Sequence, residues 1–170
     1  MSANIILTGL MGSGKTSVGK TLSKILKNYI FVDTDDVIVE LEEMPVSDIF
    51  EKKSESYFRE LEQKIIEEFS QEENLIISLG GGAFENETNR ENLLASGKVF
   101  YLRASVDTLY ERIKDDKTRP LLYCENPRGK LEELLKKREP NYLKANYVID
   151  TDNKTINDLV NEISHKLNVD

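Results

Sequence analysis

Gly9-Leu10-Met11-Gly12-Ser13-Gly14-Lys15-Thr16 carries the clearest chemistry in this chain. The apolar run Ile5-Ile6-Leu7 leads into it and a helical pattern leads out. The spacing fits G-x-x-x-x-G-K-[ST], a loop that cradles phosphates. Glycines let consecutive N–H groups turn inward toward anionic oxygens with no Cβ in the way. A helix opening at Lys15 adds the positive end of its dipole. Lys15 supplies a mobile charge for β- and γ-phosphates, and the Thr16 hydroxyl suits Mg²⁺. A plain glycine turn is the alternative, and the strand before and helix after weigh against it.

Other candidates stand further along. Asp33 and Asp35 are one residue apart after an apolar run, so both can face one side of a strand end. Such a pair could hold a metal near Thr16 and orient or deprotonate an acceptor hydroxyl. It could equally cap a helix. Gly80-Gly81-Gly82 also ends an apolar run and could expose backbone N–H groups to an anion. Arg59 has Glu55 and Glu62 at helical spacing and reads first as a surface ion pair. Arg119, before Pro120, could swing onto phosphates or remain a solvated loop charge. Arg138 falls near a helix end, where a cation complements the dipole. Arg112 could stack on a base or pair with Glu111 or Asp115.

These residues need a frame. Short apolar runs at residues 4–7, 29–32, 75–79, 99–102 and 147–149 read as strands. Helical patterns cover residues 15–27, 37–43, 45–50, 54–71, 86–96, 105–114, 130–139 and 156–167. Gly97 reads as a helix stop and Pro140 as a helix end. Strand and helix alternate five times. The expected fold is α/β, a five-stranded parallel sheet with helices on both faces. One domain spans residues 1–170, with a helical insertion at about 36–71 and a lid at about 113–128. In such a sheet, ligands sit beyond the strands' C-terminal ends, where the phosphate loop, the aspartates and the glycine triplet all fall.

Composition narrows the function class. The chain has 170 residues and a net charge of −8, which argues against nucleic acid or an anionic membrane as partner. No apolar run is long enough to span a membrane. Met1-Ser2-Ala3-Asn4 has no basic region of a signal peptide. A single cysteine, Cys124, fits a reducing cytoplasm. No long apolar stripe is left over, so a monomer is expected. An acidic chain that binds a nucleotide must build local positive sites from particular lysines and arginines.

Taken in order, the phosphate loop, Asp33-Thr34-Asp35, Ser47-Asp48-Ile49-Phe50, Phe58-Arg59-Glu60-Leu61-Glu62, Gly80-Gly81-Gly82-Ala83, Arg119-Pro120-Leu121-Leu122 and Lys137-Arg138-Glu139-Pro140-Asn141-Tyr142 resemble shikimate kinases. These are a branch of the nucleoside-monophosphate-kinase-like P-loop proteins, and the resemblance covers essentially the whole chain. It implies ATP-dependent phosphorylation of the 3-hydroxyl of shikimate, with Mg²⁺, within aromatic amino-acid biosynthesis. It further implies that Met11, Gly12, Ser13, Gly14, Lys15, Thr16 and Ser17 bind ATP, with Arg112 on adenine and Arg119 descending on the phosphates. Lys15, Asp35 and Arg119 would be catalytic, with Asp35 nearest the attacking hydroxyl. Arg59 and Arg138 would clamp the acceptor carboxylate beside Gly80, Gly81 and Gly82, while Thr16 and Asp33 would hold the metal. Met11, Val46, Phe50 and Phe58 would shape the apolar side of the acceptor pocket. Two stretches differ from many members: Ser54-Glu55-Ser56 stands where Gly-Glu is common, and residues 150–156 lack a proline for the base.

Two rivals share the residues without the substrate: a gluconate or nucleoside-monophosphate kinase, and a non-catalytic or switch-type nucleotide binder. A GTPase-type switch would want Asn-Lys-x-Asp, and Asn153-Lys154-Thr155-Ile156 lacks the aspartate.

Overall fold

The computed structural model describes residues 3–116 and 124–169. Its frame is one parallel sheet of β1 (Asn4–Thr8), β2 (Ile30–Asp33), β3 (Leu75–Ser78), β4 (Gly97–Arg103) and β5 (Tyr147–Asp150), in the order β2-β3-β1-β4-β5. Strand alternation assigns the two faces. Ile5, Leu7, Ile76, Phe100 and Leu102 point toward α1 (Lys15–Ile25) and α8 (Ile156–Val169). Ile6, Ile77, Val99 and Tyr101 point the other way. There they meet α4 (Glu55–Gln71), α5 (Glu87–Ser96), α6 (Val106–Ile113) and α7 (Pro127–Tyr142). Helices cover both faces, as a parallel sheet requires.

Between β2 and α4 lie α2 (Thr34–Glu42) and α3 (Val46–Lys53). With α4 they enclose a smaller core of Ile38, Ile49, Phe58 and Ile65. Two expectations are corrected here. The helix after β2 begins at Thr34 and not Val37, because Asp33 caps it by accepting from the Asp35 N–H at 3.1 Å. Gly97 stops α5 as expected, its N–H bonding Leu93 O, and the chain passes directly into a strand. It is extended and opens β4, and a Cβ there would run into the Asn4 backbone. The late helix begins at Pro127, suited to a first helical position, and runs through Pro140 to Tyr142. Pro140 lacks only one late N–H donor, and Leu143 N still bonds Glu139 O at 2.9 Å.

Asn4, buried at the foot of β1, ties three elements together. Its amide donates to Phe69 O and Glu72 O at 3.2 and 2.9 Å and accepts from Leu75 N at 2.9 Å. The C-terminal end of α4 is thereby fastened to the strand that carries the phosphate loop.

Ser54 joins α3 to α4 at φ 96°, ψ 158°, a region that suits glycine alone. Its Oγ caps α4 by accepting from Tyr57 N at 3.3 Å. Strain of about 1–3 kcal/mol at such a residue exceeds a few tenths for the cap. Ser54→Gly is therefore expected to stabilise the fold by about 1 kcal/mol after the added unfolded-chain entropy of glycine. Thermal melts check this, and a lowered Tm would contradict it.

Candidate active site

The phosphate loop turns between β1 and α1 with Gly9, Gly12 and Gly14 all at positive φ. It borders a cleft of about 570 Å³ at the C-terminal edge of the sheet. Met11, Gly12, Ser13, Gly14, Lys15, Thr16 and Ser17 all line it. Lys15 Nζ donates to Gly9 O at 2.8 Å and Leu10 O at 3.0 Å, so the ammonium is folded over its own loop. Arg112 reaches the same rim from α6. It donates to Gly12 O at 3.1 Å, Thr151 Oγ1 at 3.2 Å and Thr151 O at 3.3 Å. Glu111 instead takes Lys114 at 2.7 Å. Ile113, Thr155 and Ile156 give that end of the cleft apolar surface.

Asp33 caps the helix and also faces Thr16. Oδ1 caps α2, and Oδ2 accepts from the Thr16 hydroxyl at 2.9 Å. A hydroxyl and a carboxylate joined at the end of a phosphate loop form a small, all-oxygen donor set. That set fits Mg²⁺, which takes one or two carboxylates and relies on substrate phosphates and water for the rest. No larger cluster of metal-ligating side chains occurs among the described residues.

Asp35 follows in the first turn of α2 and lines the cleft. Its Oδ1 is buried without a hydrogen-bond partner. Burial, and then the neighbouring Asp33 charge, raise its pKa above the usual carboxylate range, against Lys15 and Arg59. A Cβ on Gly80 would collide with Asp35 Oδ1 and lie 3.0 Å from Glu62 Oε1. The glycine thus makes room for two carboxylates. Its own N–H is not exposed to an anion, as the sequence suggested, but donates to Thr34 Oγ1 at 2.9 Å. Gly80 and Gly81 line the cleft, and Gly82 lies just beyond it. Among the described residues, no protein acceptor takes the N–H of Gly81 or Gly82.

Arg59 and Arg138 meet at this glycine run from opposite sides. A Cβ on Gly82 would lie 2.8 Å from Arg59 Nη1, and one on Gly81 would lie 3.3 Å from Arg138 Nη1. Arg59 makes the surface pair its spacing suggested, Nη2 to Glu55 Oε1 at 3.4 Å, and a buried one as well. Nη1 donates to Glu62 Oε2 at 2.8 Å, and Glu62 is only 1% exposed. The guanidinium also lies over the Phe58 ring at 5.2 Å, and Phe58 meets Phe50 edge-on. Arg138 sits before the last turn of α7, where a dipole role fades. Its Nε donates to Glu85 Oε2 at 3.1 Å. In both arginines carboxylates orient the fork, and the guanidinium lies beside the glycines. Arg119 and the middle of the expected lid, residues 117–123, lie outside the described residues.

Glu62 is the functional residue that sequence reasoning undervalued. Its place was legible, because position 62 falls on the apolar stripe of Phe58, Ile65 and Ile66. Burial pushes its pKa up from 4.5 to about 7, against the pull of Arg59. The folded chain then keeps a proton that the unfolded chain releases between these values. This contribution to stability therefore falls as pH rises from about 4.5 through 7. Asp35 shifts in the same direction and adds to it. Glu62→Gln is expected to flatten the decline of Tm between pH 5 and 8, and equal slopes in parent and variant would refute the assignment.

A phosphate loop, a buried aspartate and two arginines flanking amides with no protein acceptor among the described residues, all on a β2-β3-β1-β4-β5 sheet, define a P-loop phosphotransferase with a second pocket whose groups suit an anion. Comparison with known proteins sharpens that class. The shikimate kinase family model matches residues 11–168. A shikimate kinase of Sulfurihydrogenibium sp. is 45% identical over 164 residues, covering 96% of this chain and 97% of that protein. One from Thermodesulfovibrio yellowstonii is 42% identical over 160 residues, covering 94% and 92%. The solved shikimate kinase of Acinetobacter baumannii, in complex with shikimate, superposes with a TM-score of 0.94 at 38% identity, covering 99% of this chain and 94% of that one. The chain belongs to the shikimate kinase family.

Proposed function

We propose that this enzyme transfers the γ-phosphoryl group of ATP to the 3-hydroxyl of shikimate, giving shikimate 3-phosphate and ADP. The observation that carries the reading is the unpartnered Asp35 Oδ1, buried at the seam between the phosphate loop and the two arginines. A hydroxyl held there would donate to Asp35 and lie in line with a γ-phosphate on the loop. The new bond joins the acceptor oxygen to phosphorus, the bond to the β-phosphate oxygen breaks, and the acceptor proton passes to Asp35. Lys15 follows the phosphate charge as it shifts toward the leaving group. The Met11–Ser17 backbone and Arg112 hold the nucleotide, the guanidinium against the base. Arg59 and Arg138 grip the acceptor carboxylate, with the Gly81 and Gly82 amides, which meet no protein acceptor among the described residues, between them. Gly80 contributes room beside Asp35.

Thr16 would hold Mg²⁺ directly and Asp33 would hold it through water. When bound, the ion neutralises phosphate charge and aligns the β- and γ-oxygens. Residues 36–71 act as the acceptor subdomain and residues 113–128 as the lid. Arg119 would arrive with the lid to complete the charge around the phosphates and help exclude water.

No described helix is long and apolar enough to cross a membrane. The acidic charge weighs against nucleic-acid and anionic-membrane partners, the single cysteine fits a cytoplasmic enzyme, and the enzyme acts as a monomer.

The test is ADP release from Mg²⁺-ATP with shikimate, gluconate and nucleoside monophosphates side by side. Stimulation by shikimate well above the others is expected. Equal or greater stimulation by gluconate would favour the rival acceptor.

A further inference from the structure

Tyr142, the last residue of α7, is fully buried. Its ring packs on Tyr101 with centroids 5.0 Å apart. Its hydroxyl donates to the carbonyl oxygen of Gly81, and the Arg138 guanidinium lies against the same phenol oxygen. Burial raises the phenol's pKa, so the proton needed for the Gly81 bond stays in place at neutral pH.

The partner matters more than the bond. The peptide between Gly81 and Gly82 has no Cβ on either side, so little in its own chain prevents it from turning over. A trans amide is a rigid plane with C=O and N–H pointing oppositely. Fixing the Gly81 oxygen therefore fixes the Gly82 N–H, which meets no protein acceptor among the described residues. Gly82 faces Arg59, and Gly81 faces Arg138. One hydroxyl on α7 thus contacts an arginine of the carboxylate pocket and the peptide between the two.

We propose that Tyr142 is a positioning residue for the acceptor carboxylate, pinning the Gly81–Gly82 peptide so that its N–H stays presented between Arg59 and Arg138. The inference rests on the carboxylate pocket assigned above and adds the device that keeps a flexible glycine run in its binding orientation. Preorganisation of this kind acts on affinity, because a peptide already in place loses no freedom when the ligand arrives.

Tyr142→Phe removes the hydroxyl and leaves the ring. KM for shikimate is expected to rise about five- to tenfold, the worth of one hydrogen bond. KM for ATP should stay within about twofold, with kcat less affected than KM for shikimate. The parent's preference for shikimate over its uncharged carboxamide should shrink by a similar factor. A structural role would lower Tm and active fraction without this selective KM change. In a ¹H–¹⁵N spectrum the Gly82 amide should be sharp in the parent, move on adding shikimate, and broaden in the variant. This reads the pin even if the variant is less stable. An unchanged shikimate KM, or a sharp Gly82 signal at the parent position, would overturn the proposal and leave the proposed function standing. Absence of shikimate-stimulated ADP release from the parent would overturn both.

Discussion

Asp35→Asn is expected to lower kcat by about 10²- to 10⁴-fold with ATP affinity little changed, and to leave the protein as stable as the parent or more so. The two halves share one cause. Asp35 Oδ1 is buried with no donor, so the fold tolerates an acceptor that no protein group satisfies. Burial and Asp33 make the carboxylate more basic than usual, which suits a group that takes a proton from a sugar-like hydroxyl. Asparagine keeps the shape and can still accept through its carbonyl oxygen, but it cannot accept the proton. It also removes a charge desolvated beside Asp33, which is why stability should hold or rise. Steady-state rates, calorimetric ATP binding and a thermal melt check the three parts. Turnover at the parent rate would remove Asp35 from the chemistry.

Arg59→Ala should weaken shikimate binding by about 10²-fold or more, in line with truncating one partner of a desolvated charge pair. It should also destabilise the fold, because Glu62 is left buried without its cation. Breaking a fully buried pair costs about 3–5 kcal/mol. The Arg59 side chain is 32% exposed, so about 2 kcal/mol is the more reasonable expectation. The two losses can be separated. Adding Glu62→Gln removes the stranded carboxylate and should recover much of the stability while leaving shikimate affinity low. If the double variant regained affinity as well, Arg59 would be a packing residue and not part of the clamp. Unchanged affinity in the single variant would dismiss the carboxylate pocket altogether.

The sheet was legible because its strands are short apolar runs bounded by glycines and acids, and the phosphate loop because its chemistry is local. What escaped depended on distant partners. Gly97 is legible as the stop of α5, but its close approach to Asn4 of β1 is not. Pro140 looks like a terminator until the chain beyond it is seen to keep its bond to Glu139. Arg59 was ambiguous because spacing shows that Glu62 can reach it and does not show that Glu62 is buried. Position 62 on an apolar stripe was the available signal. The Gly80 amide could not be read at all, since its acceptor, Thr34, lies 46 residues earlier. Tyr142 entered only as part of a motif, and its work at Gly81 spans 61 residues.

The amide of Asn4 gives α4 a fulcrum. It holds Phe69 O and Glu72 O at the helix's far end, while Arg59 rides near the other end. Ten residues at 1.5 Å each put the arginine about 15 Å from that pivot. A tilt of about 10° there would sweep the guanidinium through about 3 Å, enough to make or break a hydrogen bond. The same rotation would barely disturb β1 or the loop above it. One buried side chain thus sets the lever on which the acceptor's grip is carried, anchored to the strand that bears the nucleotide's seat.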